Sequence, residues 1–339
     1  MNNDLKFDFN DILICPSVIT NIESRSHINV FYPDGNLPLI TAPMDTVILE
    51  KNEHVFIENN IIPCLPRGEK AGPRSIESFS LNEMLNKFKS KELKKHRGYL
   101  IDTANGHIKK LKDVTRMIKN ELGDDIWLMI GNIANPKSYA ELSEAGADAI
   151  RIGIGNGGGC LTTQQTGVGY PMASLIKECY IESLSLNNPA KIVADGGMKD
   201  YSDVIKALAL GADFVMMGSI FNKAIESSGK NVHYSNAGET ELSLEEALDL
   251  FNSGRPVFKS FRGMSTKEVQ RKWGRINLKT SEGIVDTREA QYTLSSWVEN
   301  FKHYLRSAMS YTNSSDLNEF IGETHTIMIT KNSLDRFKK

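Results

Sequence analysis

The sequence predicts an α/β fold, a (β/α)8 TIM barrel. Eight short apolar runs recur along the 339 residues, helical periodicity fills several of the gaps between them, and nearly every run ends on a polar residue or a glycine. Near-continuous hydrophobicity suits parallel strands covered on both faces, and strand–helix alternation gives the class. A doubly wound open sheet has the same periodicity; eight units in one chain favour the closed barrel. No Pro/Ser-rich linker or low-complexity stretch interrupts the chain, so residues 1–339 are expected to form a single domain.

The runs are LPLITA (37–42), IIPCL (61–65), GYLID (98–102), IWLMIG (126–131), DAIRIG (148–153), KIVADG (191–196), DFVMMG (213–218) and VFKSFRG (257–263). Between the third and fourth, HIKKLKDVTRMIKNELG sets Ile108, Leu111, Val114, Met117, Ile118 and Leu122 on one helical stripe that Gly123 ends. NPKSYAELSEAG opens with Asn135 as N-cap and Pro136 at the first helical position, and Gly146 stops it. DYSDVIKALALG follows the same plan and stops at Gly211. AGADAI and LGADFV then repeat one helix-to-strand junction, as a repeated βα unit would. The C-terminal ETHTIMITKNSLDRFKK reads as a packed strand and a basic tail.

A barrel places its chemistry after the C-terminal ends of its strands. Asp45, Arg67, Asp102, Asn132, a glycine-cysteine loop, Asp195, Ser219 and Ser265 fall there. Hydrophobic residues make up 40%, charged residues 24%, and the formal net charge is −2. That balance gives no electrostatic reason to expect nucleic acid or an anionic membrane as partner. No apolar run is long enough to span a bilayer, and MNNDLKFDFND lacks the basic start and apolar core of a secretory signal, so a cytoplasmic protein is expected. Cys15, Cys64, Cys160 and Cys179 form no CxxC pair and read as reduced thiols. Three of them sit among apolar neighbours, as small buried hydrophobes do; Cys160 does not.

In GIGNGGGCLTTQQTGVGYP, Gly153, Gly155, Gly157, Gly158 and Gly159 precede Cys160. Glycine lets backbone approach a ligand closely, and such a loop can present N–H groups to an anion or carbonyls to a cation. No Gly-Lys-Ser/Thr follows, so it is not a P-loop, and no helix follows at once, as a dinucleotide-binding GxGxxG requires. A thiolate attacks electron-poor carbon once its pKa is lowered or a base is near. Thr162 stands two residues on and would need a carboxylate partner to move a proton. Glu282 in KTSEGIV is a candidate, although alone it reads as a solvated loop carboxylate.

The chain resembles the IMP dehydrogenase/GMP reductase family over nearly its whole length. The resemblance is carried in order by LKFDFNDILICPS, ESRS, PLITAPMDTV, IDTANGH, GNIANP, the cysteine loop with TGVGYP, ADGGM, GADFVMMGS, FRGMS, TSEG and LRSAMSY. It implies a barrel that forms homotetramers and a Cys160 that attacks C2 of a purine nucleotide. Thr162 and Glu282 would form a proton-moving dyad, and Asp102 would lie near the nicotinamide and the reacting base. Asp195 would bind the ribose diol, and Gly196, Gly197, Gly218 and Ser219 the phosphate. Gly263, Met264, Ser265, Ser281 and Gly283 would border the base on a short flap, residues 264–290. Ser24, Arg25, Arg67, Thr103 and Ala104 would approach NADPH, and Ser307, Ala308, Ser310 and Tyr311 would reach a neighbour's cofactor. Carbonyls of Gly155, Gly157 and Cys160 would hold a potassium ion.

Within this resemblance an NADPH-dependent GMP reductase is favoured. Arg67 and Ile101 lie too close in the chain for a regulatory insert, the 263–282 stretch has no Arg-Tyr pair to activate water, and TGVGYP is reductase-like. SAMSY and MMGS look closer to the dehydrogenases. The alternatives are an IMP dehydrogenase lacking regulatory domains, a reductase acting on a deoxy or modified purine nucleotide, and a purine-binding barrel without turnover. Four positions depart from the family pattern: Gly158 stands for a serine, Phe261 for a tyrosine, Gln164 for an arginine, and Lys279 for an arginine frequent in reductases.

Overall fold

The computed structural model describes residues 5–235, 238–263, 266 and 283–337. In chain order the strands are β1 (Ile12–Ile14), β2 (Leu39–Thr41), β3 (Ile76–Phe79), β4 (Arg97–Asp102), β5 (Ile126–Ile133), β6 (Ala149–Ile152), β7 (Lys191–Asp195), β8 (Phe214–Met217), β9 (Asn231–Ser235), β10 (Gly238–Leu242), β11 (Phe258–Arg262), β12 (Val285–Glu289) and β13 (Thr326–Met328). A parallel sheet runs β2-β8-β7-β6-β5-β4-β3. Its two outer strands are joined through residues 62–64, where Ile62 bridges Ile40 and Cys64 bridges Ile76, both parallel. The sheet therefore closes on itself as an eight-stranded barrel.

Two layers of apolar packing hold it. Ile40, Cys64, Ile76, Leu100, Met129, Val193 and Met216 fill the barrel interior, with Ala149 as the small residue among them. A larger cluster lies between the strands and the surrounding helices, from Leu39 and Ile101 to Phe221, Trp297 and Phe320. Every other strand residue faces each layer, which is why the strands read as unbroken apolar runs.

The helices obey their end signals. α3 (Lys109–Leu122) ends at Gly123 with φ +48°, and Leu111, Val114 and Ile118 are buried. Ile108 and Met117, expected on the same stripe, are exposed, Ile108 because it is the N-cap. In α4 (Pro136–Ser143) the Asn135 side chain accepts the Lys137 N–H at 2.9 Å. In α7 (Tyr201–Ala209) the Asp200 side chain accepts the Asp203 N–H at 3.0 Å. The junction glycines Gly146 and Gly211 have φ +94° and +116°.

One strand expectation is corrected. Residues 257–263 are not the eighth barrel strand: β11 belongs to an antiparallel sheet ordered β10-β9-β11-β12. The barrel strand in its place is β3, which the apolar pattern passed over. At the C-terminus β13 pairs with β1, as a strand should, but residues expected as a tail form the helix Lys331–Phe337.

Candidate active site

A cavity of about 590 Å³ opens at the C-terminal ends of the barrel strands. The cysteine loop forms one wall because glycines let it fold tightly. Gly153, with φ +125°, follows β6; a Cβ there would lie 2.5 Å from Met172 and 2.6 Å from the Asp195 carbonyl. At Gly155, with φ +78°, a Cβ would overlap Thr163. Thr163 Oγ1 is 3.1 Å from the Ile154 carbonyl and 2.7 Å from that of Val168, so one hydroxyl ties the two limbs of the loop together. Cys160 donates its N–H to the Gly157 carbonyl at 3.0 Å, and its Sγ lies 3.2 Å from Thr162 Oγ1 at the start of the short α5 (Thr162–Thr166).

The residues on either side of 264–282 are fastened to this loop. Gly283 forms an antiparallel bridge with Cys160, and Ile284 N–H donates to the Gly159 carbonyl at 3.2 Å. Gly263 N–H donates to the Ile284 carbonyl at 2.8 Å. The approach is close enough that a Cβ on Gly263 would sit 2.3 Å from the Gly159 carbonyl oxygen. Residues 285–289 of the expected flap form β12, paired with β11. Glu282, Met264, Ser265 and Ser281 lie outside the described residues.

A buried arginine organises the cavity floor. Arg151 on β6 donates from Nη1 to Asp102 Oδ1 and from Nη2 to Asp195 Oδ2, both at 2.8 Å. Burial opposes its charge, but the Asp195 and Asp102 carboxylates outweigh that penalty and hold its pKa raised. Asn132 Nδ2 donates to the same Asp195 oxygen at 2.7 Å and to the Gly153 carbonyl at 3.0 Å. Arg67 Nε stands 3.6 Å from Asp102 Oδ2. Asp102 and Asp195 thus reach the cavity wall as oriented carboxylates, fixed from behind. The sequence placed both at strand ends; it did not single out Arg151, which sat inside an apolar run.

Gly196, Gly197, Gly218 and Ser219 line the cavity beside Gly157 and Gly158. Gly196 has φ +84°, and a Cβ on it would lie 2.8 Å from the Gly157 Cα. Ser219 Oγ accepts from Arg288 Nη1 at 2.6 Å. Arg288 is a second residue that sequence reasoning missed: VDTREA carries no spacing that ties it to the cysteine loop.

The expected cofactor residues separate into two groups. Arg67, Asp102, Thr103 and Ala104 line the cavity. Ser24, Arg25, Ser307, Ala308, Ser310 and Tyr311 do not; their two chain segments instead lie against each other. Arg306 Nε donates to the Ile28 carbonyl at 3.3 Å, and Ser17 N–H to the Tyr311 carbonyl at 2.9 Å. Among the described residues no three His, Cys, Asp or Glu side chains gather as a metal site. The oxygens that the loop offers a cation are backbone carbonyls and side-chain oxygens such as the buried Asn156 Oδ1. No helix among the described residues is long and apolar enough to cross a membrane.

A sequence model described as "IMP dehydrogenase / GMP reductase domain" matches residues 93–337. The inosine-5'-monophosphate dehydrogenase of Chlorobaculum parvum is 33% identical over 69% of this chain, a span that covers 45% of that protein. The GMP reductase of Mesoplasma florum is 32% identical over 68% of this chain and 76% of its own length. The GMP reductase of Buchnera aphidicola subsp. Schizaphis graminum is 29% identical over 98% of this chain and 96% of its own. The chain thus spans less than half the length of the Chlorobaculum protein and nearly all of the Buchnera one. With the closed barrel and a cysteine loop at its mouth, these matches establish that the chain belongs to the IMP dehydrogenase/GMP reductase family of oxidoreductases.

Proposed function

We propose that this protein is an NADPH-dependent GMP reductase, converting GMP to IMP and ammonia. The observation that carries the reading is Cys160 Sγ, 3.2 Å from Thr162 Oγ1, on a loop lining a cavity that Asp102 and Asp195 also line. Cys160 would form a bond from sulfur to C2 of the purine, and the 2-amino group would leave as ammonia with a proton delivered through Thr162. NADPH, as co-substrate, supplies the hydride. C2 accepts that hydride and the thiolate is expelled, so two electrons pass to the base and Cys160 is regenerated. Glu282 would complete the dyad. Asp195 suits the ribose diol because Arg151 and Asn132 both engage its Oδ2, and Oδ1 has no donor among the described residues.

The reductase is favoured over the dehydrogenase by length and continuity. The match to the Buchnera reductase runs nearly end to end, and the stretch between Pro66 and Arg97 is occupied by β3 and α2 (Leu81–Lys89). This supports one barrel domain without a regulatory insert. Carbonyls of Gly155, Gly157 and Cys160 fit a monovalent cation chemically: hard oxygen donors on a glycine-shaped loop. The homotetramer and the approach of Ser307–Tyr311 to a neighbour's cofactor belong to the same reading. A second reading, IMP dehydrogenase, draws on the Chlorobaculum match. Mixing the protein with GMP and NADPH, with dGMP and NADPH, or with IMP and NAD separates them. Loss of the reduced-nicotinamide absorbance is expected with GMP, and none with Cys160→Ala. A gain of that absorbance with IMP and NAD, and no loss with GMP or dGMP, would overturn the reductase.

A further inference from the structure

We propose that Arg288 is the residue that selects the 5'-phosphate of the nucleotide at this site. The inference rests on the purine-nucleotide reading above and adds to it the residue that separates nucleotide from nucleoside. Arg288 lies on β12 opposite Lys259 of β11, and its guanidinium carbon sits 3.6 Å from the centroid of the Phe261 ring. Stacking on an aromatic face holds a guanidinium flat and leaves its edge free to donate. That edge stands directly behind the cavity wall, against two of the residues that line it. Nη1 donates to Ser219 Oγ at 2.6 Å, and Nη2 lies 3.4 Å from the Gly158 carbonyl.

Neutral partners do not cancel the charge. The acid facing it is Asp286, 3.4 Å from Nε with a side chain 52% exposed, so that pairing is screened by water. Arg288 itself is largely covered, at 19% side-chain exposure. A planar fork beside a hydroxyl and the glycines at 157, 158 and 218 fits a tetrahedral dianion better than a neutral group. Gly158 leaves the room: a Cβ there would have Ser219 Oγ as its nearest atom, at 3.7 Å. Because Gly158 is two residues before Cys160, a phosphate on this edge and a base over the sulfur would lie on the same loop.

The test is binding of GMP and of guanosine, measured by calorimetric titration of the full chain, its Arg288→Met variant and its Arg288→Lys variant. Losing a charge-assisted pair should weaken GMP binding by about 10–100-fold in Arg288→Met. Guanosine binding should stay within about twofold, and Arg288→Lys, keeping the charge without the fork, should fall between. A merely structural role would weaken both ligands together. Unliganded melting curves show whether Arg288→Met is folded; should it not be, Arg288→Lys decides, and must lose GMP affinity selectively. GMP binding that survives Arg288→Met within twofold, or falls in parallel with guanosine, overturns the proposal and leaves the nucleotide reading standing. A wild-type protein that binds neither GMP nor IMP overturns the nucleotide reading and this proposal with it.

Discussion

At Arg151, burial and charge pull in opposite directions. Its side chain is 7% exposed, a position where a cation that always keeps its proton would destabilise the site if left unpaired; two carboxylates prevent that. Removing the cation by Arg151→Met takes away the donor that bridges the two carboxylates, leaving Asp195 with Asn132 and Asp102 with Arg67 at 3.6 Å. The expected cost is about 3–5 kcal/mol at neutral pH, read from urea denaturation. A cost below about 1 kcal/mol would contradict the role. Gly158 behaves differently. It needs no left-handed backbone, and its missing Cβ meets nothing closer than 3.7 Å. Gly158→Ser should therefore leave stability within about 0.5 kcal/mol, as urea denaturation would show. Cys160 and Asp195 were legible because a nucleophile among glycines and an acid at a strand end break their surroundings. Arg151 and Arg288 were not, because a charge inside an apolar run and a charge in a polar stretch look ordinary until the fold supplies their partners.

β11 shows why an apolar run can mislead. VFKSFRG is hydrophobic enough for a barrel strand, yet Lys259 and Phe261 are buried while Phe258, Ser260 and Arg262 are only half-buried, the alternation of an antiparallel strand. The buried member of that alternation is a lysine. Its Nζ donates to the Ile225 carbonyl at 3.0 Å, the Ser227 carbonyl at 2.8 Å and Asn231 Oδ1 at 2.7 Å, pinning the sheet to the end of the barrel. Burial lowers its pKa from 10.5 to about 7, with Glu226 opposing and Lys51 adding. Between those two values the unfolded chain holds a proton that the folded chain has released, leaving Nζ two N–H bonds to share among its three acceptors, and stability rises with pH across that window. Lys259→Met abolishes the slope and leaves buried acceptors without a donor, at about 1–3 kcal/mol each. The stability difference between wild type and variant, followed by urea denaturation, should widen from pH ~7 to ~10. A constant difference would mean that Lys259 keeps its proton in the fold.

Closure of the barrel depends on its least regular member. Residues 62–64 contain Pro63, which has no N–H to give a ladder, and they pair by single bridges on either side. β3 follows as SIESF, where Glu77 and Ser78 interrupt the apolar pattern; the sequence showed seven of the eight barrel strands and could not show this one. What the ladder lacks here, side chains supply. Fully buried Thr41 accepts the Cys64 N–H at 2.8 Å and donates to the Cys64 carbonyl at 3.2 Å, and Ser78 donates to the Leu65 carbonyl at 2.5 Å. Thr41→Val keeps the volume and removes both bonds, leaving two buried backbone groups unsatisfied at the seam. Thr115→Val is the control: Thr115 is equally buried, but its hydroxyl donates only to the Leu111 carbonyl one helical turn back, an acceptor with a helical partner of its own. Thr41→Val should cost about 2–4 kcal/mol and Thr115→Val less than about 1 kcal/mol. Hydrogen exchange should locate the difference, with amides of Ile62, Cys64 and Ile76 losing protection only in the first variant. Equal costs for the two substitutions would place closure elsewhere.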